Sequence, residues 1–229
     1  MGSHSENEKK MKAIELMLEC SNQFPNCPVI STNEIISLLD KIKEGIGIEK
    51  KIDNSPCAAE SLQNFNSGEI GLEKGVAYGL EILPSNIMPF QSDSESNMIL
   101  VDVRSREERA VSMVPGAITS EEFESLIKCN PEMDKSMLII PYCTIGYRSG
   151  KYGSALIRDH GFKNVRNGEG IVLWTYAEGS SLVRKKDGIE ESTHKVHTFG
   201  SAWDLAADKY STVQFGTFSF IYQGLSALL

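Results

Sequence analysis

Met137-Leu138-Ile139-Ile140-Pro141-Tyr142-Cys143-Thr144-Ile145-Gly146-Tyr147-Arg148 is the stretch that decides how this chain reads. Its first six residues form a short apolar run, the mark of a buried strand. In residues 149–160, Tyr152, Ala155 and Leu156 fall at helical spacing. Cys143 is therefore expected at the carboxyl end of a strand, on a tight loop that enters a helix. Backbone N–H groups and the positive end of the helix dipole converge on a sulfur in that place. A thiol there ionises readily, and the thiolate is the nucleophile. The competing reading is a buried structural cysteine in an ordinary strand–turn–helix.

Working outward, Met98-Ile99-Leu100-Val101-Asp102-Val103 is a near-continuous apolar run, as in a central strand covered on both faces. Residues 104–111 read as a short charged helix, and Pro115-Gly116 as a turn. Thr119-Ser120-Glu121-Glu122 fits a capping box that opens a helix carrying Phe123, Leu126 and Ile127. Residues 164–166 read as a short strand and 171–178 as a helix. Strands alternating with helices imply an α/β domain with a central, mainly parallel sheet flanked by helices. Sites in such sheets lie beyond the carboxyl ends of the strands, where Cys143 falls.

The flanks are less regular. Residues 6–20 read as an amphipathic helix with Ile14, Met17 and Leu18 on one face. Val29-Ile30 reads as a strand. Ser31-Thr32-Asn33-Glu34 then caps a helix that buries Ile35, Leu38 and Leu39. The pattern weakens over about 41–97, where Gly45, Gly47, Asn54, Pro56 and Gly68 break it. This region reads as an insertion partly ordered by residues 72–83, with a polar linker at 91–97. The organisation expected is a helix and loop over 1–28, a domain over 29–185 interrupted at about 41–97, and an extension over 186–229 packed on it.

Composition narrows the function classes. The chain has 229 residues, 41% hydrophobic and 24% charged, as in an ordinary globular protein. A net charge of -8 and a pI near 5.1 argue against nucleic acid and anionic lipid as partners. The five cysteines, at 20, 27, 57, 129 and 143, show no C-x2-C spacing, which argues against a disulfide scaffold or a zinc site. His194-x-x-His197 has metal-compatible spacing on a helix but no acidic or cysteine partner close by, so it reads as a surface segment. No metal or cofactor is expected. No apolar run approaches the roughly 20 residues of a membrane span. The apolar tail 215–229 reads as core packing or a homodimer contact. The compartment expected is intracellular, cytoplasmic or organellar, and the absence of a secretory signal at the start is not the ground for it.

These motifs together resemble the rhodanese-like domain family. Leu100-Val101-Asp102-Val103-Arg104, Glu107-Glu108 and Val114-Pro115-Gly116-Ala117-Ile118 resemble its first signature. Residues 142–149 resemble its active-site loop, and Asn167-Gly168-Glu169-Gly170-Ile171-Val172-Leu173-Trp174 its closing segment. Residues 30–39 resemble its opening strand and helix. Ser112-Met113 stands where the family often has Gly-His. The resemblance implies a single rhodanese domain with a sulfur-carrying Cys143, a small anionic sulfur donor such as thiosulfate, and a thiol or cyanide acceptor.

Loop length agrees with that chemistry. Cys143 to Arg148 spans C-x4-R, one residue shorter than the C-x5-R loop that surrounds a phosphate or arsenate, and a shorter nest suits a persulfide sulfur. Backbone amides of Thr144, Ile145, Gly146, Tyr147, Arg148 and Ser149 are expected to stabilise it, with Gly146 giving the loop room to curl. Arg148 reads equally as an attractor of the donor or as a salt bridge that fixes the loop. Tyr147 shapes the mouth or packs. Asp102 and Arg104 read as structural supports behind the loop, Trp174 as core or pocket wall, and Cys129 as a bystander thiol. A non-turnover binding module and a phosphatase or arsenate reductase are the alternatives to sulfur transfer.

Overall fold

Two apolar runs, buried on both faces, build the centre of the molecule. The structure, a computed structural model, describes residues 5–52, 98–186 and 189–215. In chain order it contains α1 (Glu6–Ser21), β1 (Val29–Ile30), α2 (Thr32–Ile52), β2 (Met98–Asp102), α3 (Arg106–Val111), β3 (Ile118–Thr119) and α4 (Ser120–Cys129). There follow β4 (Leu138–Tyr142), α5 (Tyr147–His160), β5 (Asn167–Gly168), α6 (Ile171–Trp174), β6 (Leu182–Lys186), β7 (Ile189–Thr193), β8 (Lys195–His197) and β9 (Ser211–Val213).

β2 and β4 pair in parallel from Met98 opposite Leu138 to Asp102 opposite Tyr142. β3 pairs in parallel on the far side of β2. A bridge from Ile139 to Val165 continues the sheet beyond β4, and β5 pairs in parallel with β1. The α/β class and the mainly parallel sheet are as the sequence implies. β6 and β7 form an antiparallel hairpin, and β8 pairs in parallel with β9.

Successive residues of the central strands face opposite layers. Leu100 and Ile140 pack with Ile35 of α2 and with Ile171 and Trp174 of α6. Val101 and Ile139 pack with Phe123 of α4 and Leu156 of α5. Burying each such side chain contributes about 1.5–3 kcal/mol, so these two layers hold the sheet that carries Cys143. Trp174 belongs to this core, and its Nε1 donates to the Ser181 carbonyl at 3.0 Å.

Helix starts follow local chemistry. Glu34 N donates to Ser31 Oγ at 3.3 Å while Ser31 N donates to Glu34 Oε2 at 3.0 Å. Thr119 with Glu122 repeats the box at α4. Ser105 with Glu108 makes another at α3, which begins at Arg106 rather than at 104.

Three boundaries differ from the sequence reading. α2 continues to Ile52, so the first part of the supposed insertion is helix. Gly45 and Gly47, each costing about 1 kcal/mol in a helix interior, do not end it. α6 stops at Trp174, where Thr175 Oγ1 donates to the Val172 carbonyl at 2.6 Å. The expected strand at 164–166 makes a single bridge through Val165, and the regular ladder starts at Asn167. The expectations for 72–83, for the linker at 91–97 and for most of the tail 215–229 lie outside the described residues.

The segment after β7 lies on the domain. Trp203 packs against the cluster containing Met17 and Leu205, and Tyr210 against the layer containing Trp174. Lys9 of α1 meets Asp208 at 2.8 Å. Among the described residues no helix is long and apolar enough to cross a membrane.

Candidate active site

β4 ends at Tyr142 and α5 begins at Tyr147, so Cys143 stands where the apolar run and the helical spacing meet. Gly146 is the N-cap of α5 at φ 98, a conformation that favours glycine. The curl turns the Gly146 N–H onto Cys143 Sγ at 3.2 Å. Ser149 Oγ donates to the same sulfur at 3.4 Å. Cys143 is only 1% exposed. Burial works against its ionisation, but the Arg148 charge, the Ser149 hydroxyl and amide and the Ile145 amide outweigh it. The thiol is held below its ordinary 9.0.

The closing segment props the loop from behind. Ile171 N donates to the Cys143 carbonyl at 2.8 Å and Val172 N to the Thr144 carbonyl at 3.3 Å. Gly170, at φ 103, has no room for a side chain, since a Cβ there would lie 2.5 Å from the Thr144 carbonyl oxygen. Asn167 Nδ2 donates to the Gly146 carbonyl at 2.9 Å and to Ser21 Oγ of α1 at 3.2 Å. α1 thereby seals one side of the loop. Cys20, on the same turn as Ser21, has its thiol raised by burial and further by neighbouring Cys143.

Arg148 is committed to Glu108. Its Nη1 donates to Oε2 at 2.7 Å and its Nη2 to Oε1 at 2.8 Å, with a further bond from Nη2 to Thr144 Oγ1 at 3.2 Å. Glu108 is fully buried. Burial alone would raise its carboxyl, but Arg148, His197 and Arg104 hold it well below the usual carboxylate range. The salt-bridge reading of Arg148 is the one the geometry realises. The guanidinium lies over the Phe199 ring, with Arg148 Cζ 4.7 Å from the ring centroid.

Asp102 and Arg104 form the support behind the loop. Arg104 Nε and Nη2 donate to Asp102 at 2.9 and 2.6 Å, and Nη2 also reaches the Ser112 carbonyl at 2.6 Å. The Tyr142 hydroxyl donates to Asp102 Oδ2 at 2.6 Å. Burial and then Asp102 keep that hydroxyl well above its ordinary 10.0.

The remaining candidates separate. Thr144 and Ile145 are buried, so their side chains build the loop, and Ile145 packs with Met17 and Val172. Tyr147 is 43% exposed at the rim, edge-on to Phe24 at 5.5 Å. Cys129 is exposed at the end of α4. His197 is not on a surface segment: it is 2% exposed, on a strand, with Nδ1 at 3.3 Å from Glu108 Oε1. That contact is poorly aligned for a hydrogen bond. His194 stays exposed against Tyr210.

Sequence reasoning assigned no site role to Glu108, His197 or Phe199. The spacing of Ser105 and Glu108 was a usable signal for the first, because it matches the boxes recognised at Ser31 and Thr119. No local signal marks the other two.

A family model described as the rhodanese-like domain matches residues 90–175. Among solved structures, a rhodanese with anions from E. coli is 25% identical, with 38% of this chain and 99% of that one covered and a TM-score of 0.31. The BH2092 protein from Bacillus halodurans is 23% identical over 41% of this chain and 66% of that one, with a TM-score of 0.30. A thiosulfate sulfurtransferase from Pseudomonas aeruginosa is 16% identical over 80% of this chain and 24% of that one, with a TM-score of 0.40. No curated protein matches the chain. With the family match spanning β2, the cysteine loop and α6, the chain carries a rhodanese-like domain over residues 90–175.

Proposed function

We propose that this protein is a sulfurtransferase that moves a sulfane sulfur through a persulfide on Cys143. The observation that carries the proposal is the pair of donors on Cys143 Sγ, the Gly146 N–H at 3.2 Å and the Ser149 hydroxyl at 3.4 Å, at the start of α5. They favour the thiolate, and a thiolate needs no general base to attack.

In the first step the Cys143 thiolate attacks the outer sulfur of a donor such as thiosulfate. A sulfur–sulfur bond forms to Cys143, the donor's own sulfur–sulfur bond breaks, and sulfite leaves with the electron pair. In the second step a thiolate or cyanide acceptor attacks the outer sulfur of the persulfide, and the Cys143 thiolate departs. The loop amides and the Ser149 hydroxyl stabilise anionic sulfur before and after each transfer. Arg148 contributes its charge from a fixed position on Glu108 rather than by grasping the donor. The C-x4-R spacing disfavours phosphate or arsenate chemistry.

One observation favours a second reading, a binding module without turnover: Cys143 is 1% exposed, so a donor enters only when its cover opens. Thiocyanate formation from thiosulfate and cyanide separates the two. Turnover that disappears in Cys143→Ser supports sulfur transfer. A folded, reduced protein with no turnover supports the binding module.

A further inference from the structure

Residues outside the matched domain reach its candidate site. β8 runs beside α3, with Val196 buried in the core and Thr198 N donating to the Val213 carbonyl at 3.0 Å. This fixes the short strap 197–199 against the Glu108–Arg148 pair. The His197 ring stacks on Phe215 at 4.3 Å between centroids and meets Phe199 edge-on at 5.3 Å. His197 Nδ1 lies 3.3 Å from Glu108 Oε1. The Phe199 ring covers the Arg148 guanidinium.

We propose that Phe199 is a positioning residue of the site, holding Arg148 in place on Glu108, with His197 bracketing the ring. Two parallel hydrogen bonds fix a guanidinium in the plane of its carboxylate but leave out-of-plane tilt soft. A ring against the face blocks that tilt. It also excludes water from the face and so strengthens the field that Arg148 exerts on Cys143. Neither strap residue touches Cys143 in this role; both act through Arg148 and Glu108. The inference rests on the reading of Cys143 as the reactive thiol. The titratable and charged groups acting on the pair are Arg104 before α3, His197 on β8 and Cys143, and Cys20 on α1 in turn faces Cys143.

The test is the pH profile of Cys143 alkylation by iodoacetamide, read on its own peptide by mass spectrometry in the full chain. Freer access would raise the rate at every pH and, by relieving the burial that opposes ionisation, lower the midpoint, so a raised midpoint separates lost positioning from uncovering. The profile is taken for wild type, Phe199→Leu, Phe199→Met, Phe199→Tyr and the neutral pair Glu108→Gln/Arg148→Gln. Two non-aromatic variants guard against one of them failing to fold. The neutral pair is expected to raise the midpoint. Phe199→Leu and Phe199→Met are expected to raise it in the same direction by about half to one unit, and Phe199→Tyr to restore it. A midpoint at the wild-type value in the folded Leu or Met variant, while the neutral pair shifts it, overturns the positioning role alone. A wild-type midpoint at the ordinary thiol value overturns both this role and the reading of Cys143.

Discussion

Glu108 and Arg148 face each other through two parallel hydrogen bonds, at 2.7 and 2.8 Å, with the carboxylate fully buried and the guanidinium about a quarter exposed. Glu108 also closes the capping box of α3 by accepting from Ser105 N at 2.9 Å. One side chain therefore starts a helix and anchors the arginine of the cysteine loop. Removing Arg148 strands a buried charge, and breaking such a pair costs about 3–5 kcal/mol. Arg148→Ala is accordingly expected to weaken the fold as well as catalysis, against the simpler view of Arg148 as a surface anion trap. Denaturant unfolding of Arg148→Ala checks this; a midpoint equal to wild type contradicts it.

The same pair sets an acid limit. Glu108 is held below its ordinary 4.5, so the folded state binds this proton less readily than the unfolded chain. Its stabilisation is fully present above that ordinary value and is lost as pH falls through the folded pKa. Unfolding free energy is expected to fall with acidification below about pH 4.5 more steeply in wild type than in Glu108→Gln. Parallel slopes in the two proteins would remove Glu108 from the acid response.

Thiol chemistry is expected to be selective between two equally buried cysteines. Cys143 and Cys27 are each 1% exposed, yet Cys143 is held below 9.0 while burial pushes Cys27 up to about 11. Near pH 8, peptide-resolved alkylation is expected to modify Cys143 first. Equal rates would mean that opening of the cover, and not ionisation, controls both.

Ser149 separates the loop's chemistry from its folding. Ser149→Ala removes the hydroxyl donor to Cys143 Sγ. A hydrogen bond to a charged group is worth about 1.5–3 kcal/mol, so sulfur transfer is expected to slow about 10–100-fold. Steady-state kinetics beside a thermal melt checks the split, and a loss of turnover matched by unfolding would argue for a structural serine.

Gly170→Ala tests the prop behind the loop. Alanine would have to adopt φ 103 and place its Cβ 2.5 Å from the Thr144 carbonyl oxygen. The conformation alone costs about 1–3 kcal/mol, and the contact pushes the loop off its amides. Lower stability together with slower Cys143 alkylation is expected from melting and labelling experiments.

Legibility followed the range of the interactions. Apolar runs at 98–103 and 137–142 announced β2 and β4, because their burial pattern is written in consecutive residues. Ser31 with Glu34 and Thr119 with Glu122 announced helix starts, because a capping box closes over three residues. The cysteine loop was legible for the same reason. Glu108 was readable as a cap and unreadable as a partner of Arg148, which lies 40 residues away. His197 and Phe199 were hidden more deeply, since each meets its partner, Glu108 or Arg148, only through tertiary packing. The length of α2 was missed because two glycines look like breakers locally, yet the helix runs through both.

The central claim is that Cys143 carries sulfur. The most direct measurement is the intact mass of wild type and Cys143→Ser after thiosulfate, and again after cyanide. The account predicts that wild type gains the mass of one sulfur atom, that cyanide removes it, and that Cys143→Ser gains nothing. A folded, reduced wild type that gains no sulfur, or a Cys143→Ser protein that gains as much, would contradict it.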